Sequence, residues 1–136
     1  MAEWIEPKTD WSSNDYFNYE DYNRIIGNLA YLKAYLGGLF NSLTNVSLGE
    51  EKSVESLIYA REVNAIEQAL ETLNKETYRL AIGETKEYFA NQKTIDYAEL
   101  NRIEKAILAL LQKVVNHKEN LTRIAFTLGN QKGIKV

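Results

Sequence analysis

The chain has 136 residues, 45% of them hydrophobic and 26% charged, which is enough for one domain with a real core. It has no cysteine, one histidine and one proline. That excludes disulfides, thiolate nucleophiles and any multi-histidine metal site within one chain. The net charge of −3 is unevenly spread. Residues 1–23 carry six acids against Lys8, and residues 100–136 carry seven bases against Glu104 and Glu119. Such opposite ends attract one another within a chain or between neighbours, or stand as solvated surface.

Residues 1–17 read as an extended entry arm, because Pro7 disfavours helix before it. Trp4 and Trp11 lie on this arm, seven residues apart. Two tryptophans there are expected to pack on the chain's own bundle or on a partner. A first helix is expected from about Tyr19 to about Phe40, with Asn18 as its N-cap. Phe17 and Tyr22 are placed to close a hydrophobic staple around that cap. Ile25, Leu29, Leu32, Leu36, Leu39 and Leu43 form one stripe, which Gly37-Gly38 interrupts as a kink, a close contact or the helix end. Residues 41–49 read as a loop.

A second helix is expected between Ser53 and Leu80, with Tyr59, Val63, Ile66, Leu70, Leu73 and Leu80 on its stripe. Glu67 and Glu71 flank that stripe and are expected on a solvated face. Gly83 is expected to end or break this helix. Residues 84–94 are polar, with room for one short helical turn. A third helix is expected from Asp96 to about Asn120, capped by Asp96 with Glu99 three residues on. Leu100, Ile103, Ile107, Leu110, Val114, His117, Leu121 and Ile124 keep heptad spacing. Residues 124–128 read either as last helical turns or as a short strand. The expected fold class is all-α: three long amphipathic helices in a bundle (18–128), with the extended N-terminal arm and a short C-terminal tail (129–136).

One phrase recurs. Asn18-Tyr19-Glu20-Asp21-Tyr22-Asn23-Arg24-Ile25 is echoed by Asp96-Tyr97-Ala98-Glu99-Leu100-Asn101-Arg102-Ile103, and Asn64-Ala65-Ile66 repeats its core. With Leu100 and Ile103 in the core, Asn101 and Arg102 point away from the stripe, as do Asn23 and Arg24. Such residues fasten an incoming arm or loop to the first helical turn, or form a surface for a neighbouring subunit. No glycine-rich phosphate loop, nucleophile elbow or His-Glu-x-x-His is present. No catalytic, cofactor or metal site is expected, and His117 reads as a satisfied histidine near the bundle's end. The acidic balance disfavours nucleic acid as a partner, and no apolar run reaches membrane-spanning length.

Trp4-Ile5-Glu6-Pro7-Lys8-Thr9-Asp10-Trp11, followed by Asp15-Tyr16-Phe17-Asn18-Tyr19-Glu20-Asp21-Tyr22-Asn23-Arg24-Ile25, resembles tail or baseplate structural proteins of phages and prophages of Gram-positive bacteria. Such proteins carry a Trp-x-x-Pro-Lys-Thr-x-Trp arm and repeated Asn-Arg-Ile helix starts. The resemblance covers about a third of the chain. It implies a non-enzymatic virion component, assembled in the host cytoplasm and docking on other virion proteins or on itself. Trp4, Trp11, Asn23, Arg24, Asn101 and Arg102 are then the candidate interaction residues. The alternative is a cytosolic helical adaptor or regulator that binds a host protein.

Overall fold

The computed structural model describes residues 4–90 and 95–131. Its helices are α1 (Tyr19–Gly37), α2 (Ala60–Lys75) and α3 (Tyr97–Gln131), each packed against the other two. All three run parallel. Arg24 pairs with Glu104 and Arg102 with Glu67, all in the first turns of their helices. At the opposite end Phe40 meets Tyr78 with ring centroids 5.4 Å apart, and Tyr78 meets His117 at 5.7 Å. Antiparallel neighbours would instead set the first turns of one helix beside the last turns of the next.

Parallel helices in one chain require the chain to travel back the length of the bundle between them. Residues 38–59 and 76–90 do this, and the arm before α1 runs in the same direction. The arm lies along α1 and α3, where Ile5 touches Asn28 and Lys8 touches Glu104. The second segment lies along α1 and α2, with Gly49 against Tyr22 and Glu62 and with Thr44 held by Glu76. The third lies along α2 and α3, with Gly83 against Arg102 and Tyr88 against Glu67. Each groove between two helices therefore carries one extended segment.

The stripes form the core. Ile25, Leu29, Leu32 and Leu36, then Ile66, Leu70 and Leu73, then Ile103, Ile107, Leu110 and Val114 are all buried. Each such side chain contributes about 1.5–3 kcal/mol. Asn18 caps α1 in a complete capping box: its Oδ1 accepts from the Glu20 and Asp21 N–H groups, and Asp21 accepts from the Asn18 N–H. Phe17 stacks edge-on against Trp11, with ring centroids 6.2 Å apart.

Several boundaries differ from the sequence expectation. α1 ends at Gly37 rather than Phe40, so Gly37-Gly38 is the helix end, and Leu39 and Leu43 pack on the core from outside it. α2 starts at Ala60 rather than Ser53; Ser53 and Ser56 close a turn of their own, in which the Ser56 N–H donates to the Ser53 C=O and the Ser53 N–H to the Ser56 Oγ. Glu62 accepts the Tyr59 N–H there, while the tyrosine side chain caps nothing. α2 stops at Lys75, well before Leu80; Arg79 follows with φ 52, and Gly83, at φ 86, lies in the return segment. Residues 84–90 hold no helix, and the rest of that expected turn falls on 91–94, outside the described residues. At the start of α3 Asp96 accepts from the Glu99 N–H, but the Glu99 carboxylate turns to Arg102. α3 runs on past Asn120 to Gln131, so residues 124–128 are helix. The tail boundary moves to 132, and residues 132–136 lie outside the described residues.

Gly49 has no room for a side chain: a Cβ there meets the Tyr22 hydroxyl, and Tyr22 is fully buried. Gly49→Ala is expected to cost about 1–3 kcal/mol in chemical denaturation through overpacking. Among the described residues the Tyr22 hydroxyl has no hydrogen-bond partner, so Tyr22→Phe is expected to restore most of that loss in the double variant.

Candidate functional site

Extended segments outside a sheet leave peptide groups without ladder partners. This chain supplies partners from asparagine side chains. A carboxamide offers one acceptor and one pair of donors side by side, so it can bind both polar groups of one residue. Asn101 accepts the Trp11 N–H at 2.8 Å and donates to the Trp11 C=O at 3.0 Å. Asn23 holds Lys52 in the same way, at 2.7 and 2.9 Å. Asn64 holds Tyr88, at 2.7 and 2.8 Å. In each helix this asparagine stands five residues after the N-cap: Asn23 after Asn18, Asn64 after Tyr59, Asn101 after Asp96. Asn28 on Ile5 and Asn74 on Leu80 repeat the two-bond grip elsewhere.

The grip passes around the bundle. α3 holds the arm that leads into α1, α1 holds the segment that leads into α2, and α2 holds the segment that leads into α3. The residue after each asparagine and the residue three after it extend the cycle. Arg24 of α1 grips Glu104 of α3 through Nε at 2.8 Å and Nη2 at 2.7 Å. Arg102 of α3 grips Glu67 of α2. At the remaining corner the corresponding residues are Ala65 and Ile26, so that corner is apolar.

Both glutamates are almost fully buried, at 0% and 1% exposure, contrary to the expected solvated face for Glu67. Glu104 also accepts the Trp11 indole N–H at 2.6 Å and the Lys8 N–H at 3.0 Å. Glu67 accepts the Tyr88 hydroxyl at 2.9 Å. Burial and this hydrogen bond to a carboxylate push the Tyr88 hydroxyl well above the ordinary tyrosine range. Burial works against the Arg102 cation, but Glu67 and Glu99 outweigh it and raise its pKa further.

Of the residues singled out from sequence, Trp11 is buried on the bundle, and Trp4 packs on Tyr31 with ring centroids 5.8 Å apart. Asn23, Arg24, Asn101 and Arg102 all bond within the chain. Each asparagine fastens the segment belonging to another helix, not the one that enters its own. His117 bonds the Tyr78 hydroxyl through Nδ1 at 2.7 Å and packs against Phe40. Sequence reasoning missed Glu67 and Glu104 as partners, although both stand three after a gripping asparagine.

What faces outward is a separate feature. A cavity of about 1120 Å³ opens at the N-terminal end of the bundle. Tyr16, Val54, Leu57 and Phe89 line it and are exposed by 88%, 76%, 67% and 55%. Asp15 and Glu87 also line it, and Arg61, stacked over Tyr59 at 4.6 Å, is its one lining base among the described residues. An open apolar hollow with a few charges suits contact with another protein. No helix among the described residues is long and apolar enough to cross a membrane. Comparison with protein-family models, curated proteins and solved structures finds no match to the chain.

Asn101→Asp keeps the shape but loses the donor and sets a carboxylate against the Trp11 carbonyl. It is expected to cost about 1–3 kcal/mol, read as a lower melting temperature; Asn101→Ala acts in the same direction. Arg102→Ala strands the Glu67 charge and is expected to cost about 3–5 kcal/mol. Adding Glu67→Ile, which copies the apolar corner, is expected to recover most of it in denaturant titration.

Acid is expected to loosen the segment 38–59 between α1 and α2 first. Burial alone would raise the Glu62 carboxyl, but the Lys52 ammonium and the Tyr59 N–H outweigh it and hold it below its usual 4.5. The Thr44 hydroxyl and N–H hold Glu76 below 4.5 too. Lowered folded pKa values mean the fold favours the ionised forms, so their contribution is complete above about pH 4.5 and fades as pH falls through the folded values. Amide protection factors across residues 44–59, taken relative to the intrinsic rate at each pH, are expected to fall below about pH 4, ahead of the helices.

Proposed function

We propose that the protein is a non-enzymatic assembly component of a phage or prophage virion, in the tail or baseplate, acting by docking to other virion proteins. The observation that carries the docking part is the apolar cavity at the helix N-terminal end. A well-packed single domain has little reason to leave Tyr16, Val54, Leu57 and Phe89 uncovered together. The virion part rests on the resemblance of the tryptophan arm and the repeated helix starts. The fold gives those motifs a physical use compatible with that role. Arm and helix starts are fastened to one another by buried ion pairs and two-bond grips, so the chain presents its outer surface as one stiff unit.

The test is particle composition. Virions purified from an induced host are expected to contain the chain by mass spectrometry, and immunogold labelling is expected to mark the tail. Leu57→Asp is expected to keep the melting temperature but reduce incorporation at least tenfold. Particles free of the chain, with the protein held in the cytosol by a single host protein, would replace this reading with a helical adaptor.

A further inference from the structure

The two ends of this molecule carry complementary surfaces. At the N-terminal end is the apolar cavity, with Asp15 and Glu87 in its lining, and exposed Glu20 and Glu55 beside lining residues. Among the described residues Arg61 is the one base in the lining; Lys8 stands 3.7 Å from Asp15, and exposed Lys86 precedes Glu87. At the other end α3 outlasts its partners. α1 stops at Gly37 and α2 at Lys75, while α3 continues to Gln131. From about residue 116 onward it projects roughly 24 Å, at 1.5 Å per residue, past the ends of both. The heptad stripe continues onto this projection, where Leu121 and Ile124 are 45% and 54% exposed. Lys118 and Arg123 are exposed along the same stretch, against Glu119.

We propose that the projecting end of α3 seats in the N-terminal cavity of a second copy, so that copies of this chain join head to tail. This rests on the docking reading above and names one of its partners. Three observations favour a second copy in this orientation. The stripe on the projection is the same apolar face that packs between helices in the core, so its chemistry is already that of a helix-packing surface. The cavity offers uncovered apolar side chains in a hollow formed by the starts of α1 and α2 and by residues 87–90. Charge favours this direction: among the described residues acids outnumber bases around the cavity, and bases outnumber acids on the projection. Pairing two projections stripe to stripe would bring two basic ends together and leave both cavities open. Head-to-tail contact uses two different patches, so the product is a ring or an open filament, not a closed two-fold dimer.

Single-end variants test this. Leu57→Asp spoils the cavity and leaves the projection intact; Ile124→Asp does the reverse. Both positions are exposed, and unchanged thermal melts verify the fold. By light scattering, the wild-type chain is expected to show a mass that rises with concentration and falls in high salt. Each variant alone is expected to be a monomer. An equimolar mixture is expected to give a dimer containing one of each, because one intact projection remains to meet one intact cavity. Three results would overturn the proposal: a wild-type monomer at every concentration, a Leu57→Asp chain that still dimerises while Ile124→Asp does not, or variants that fail to complement. A wild-type monomer that is nonetheless incorporated into virions would sink self-association and leave the virion reading intact.

Discussion

Running three helices parallel in one chain forces the backbone to travel the bundle's length between them. That constraint organises the rest. A helix satisfies its own peptide groups, and a strand in a sheet borrows its neighbour's, but a lone extended segment in a groove does neither. Long connections without internal structure are uncommon in compact domains for this reason. Here the cost is offset locally, by carboxamides that bind both polar groups of a single peptide residue. Asn23, Asn64 and Asn101 each act as a one-residue substitute for a strand partner. Their placement in the first turns of the helices fixes where each segment arrives, and so where the next helix begins.

The arginine–glutamate pairs serve the same arrangement at greater depth. A buried ion pair contributes little net stability over an apolar pair of similar size, but it is strongly selective, since breaking one partner leaves a charge without a counterpart. Glu104 is matched at once by Arg24, by the indole of Trp11 and by the Lys8 N–H. Only one placement of the arm satisfies all of them together. The corner with Ala65 and Ile26 needs no such matching. The same cycle thus uses polar selection at two corners and plain packing at the third, as expected if fixing helix order, more than adding stability, is what the charges do.

Much of the fold was legible in the sequence, and the illegible parts share one cause. The cap at Asn18 and the stripes from Ile25, Ile66 and Ile103 depend on neighbours within a turn or two; that Gly37-Gly38 interrupts α1 was legible in the same way, but not that it ends the helix. Helix direction does not: a 4-3 stripe reads the same for parallel and antiparallel packing. Glu67 looked like a surface carboxylate because its partner, Arg102, is 35 residues away. The stripe of α2 ran through Tyr59 and Leu80 because apolar spacing continues where an extended segment also packs on the core. Asn23 and Asn101 stood out as fasteners or as a subunit surface, but Asn64 did not, and which segment each would hold was not legible, since the grip crosses to a neighbouring helix. The cavity was invisible because Tyr16, Leu57 and Phe89 come from three separate stretches.

The repeated phrase therefore accounts for the scaffold and very little of the surface. Its asparagines, arginines and core residues are engaged within the chain. What distinguishes one side or end of the molecule from another lies where the repetition fails. α3 is 35 residues long, against 19 and 16 for α1 and α2. The stretches between the helices differ in sequence, and together with the arm they shape a single N-terminal cavity. A strictly repetitive bundle would present the same contacts three times around its axis and would have no preferred partner side. Breaking the repetition at both ends gives this one a polarity, with an acidic apolar hollow at one end and a basic apolar helix at the other. Polarity is the property a part needs if it is to be added to an assembly in a single orientation.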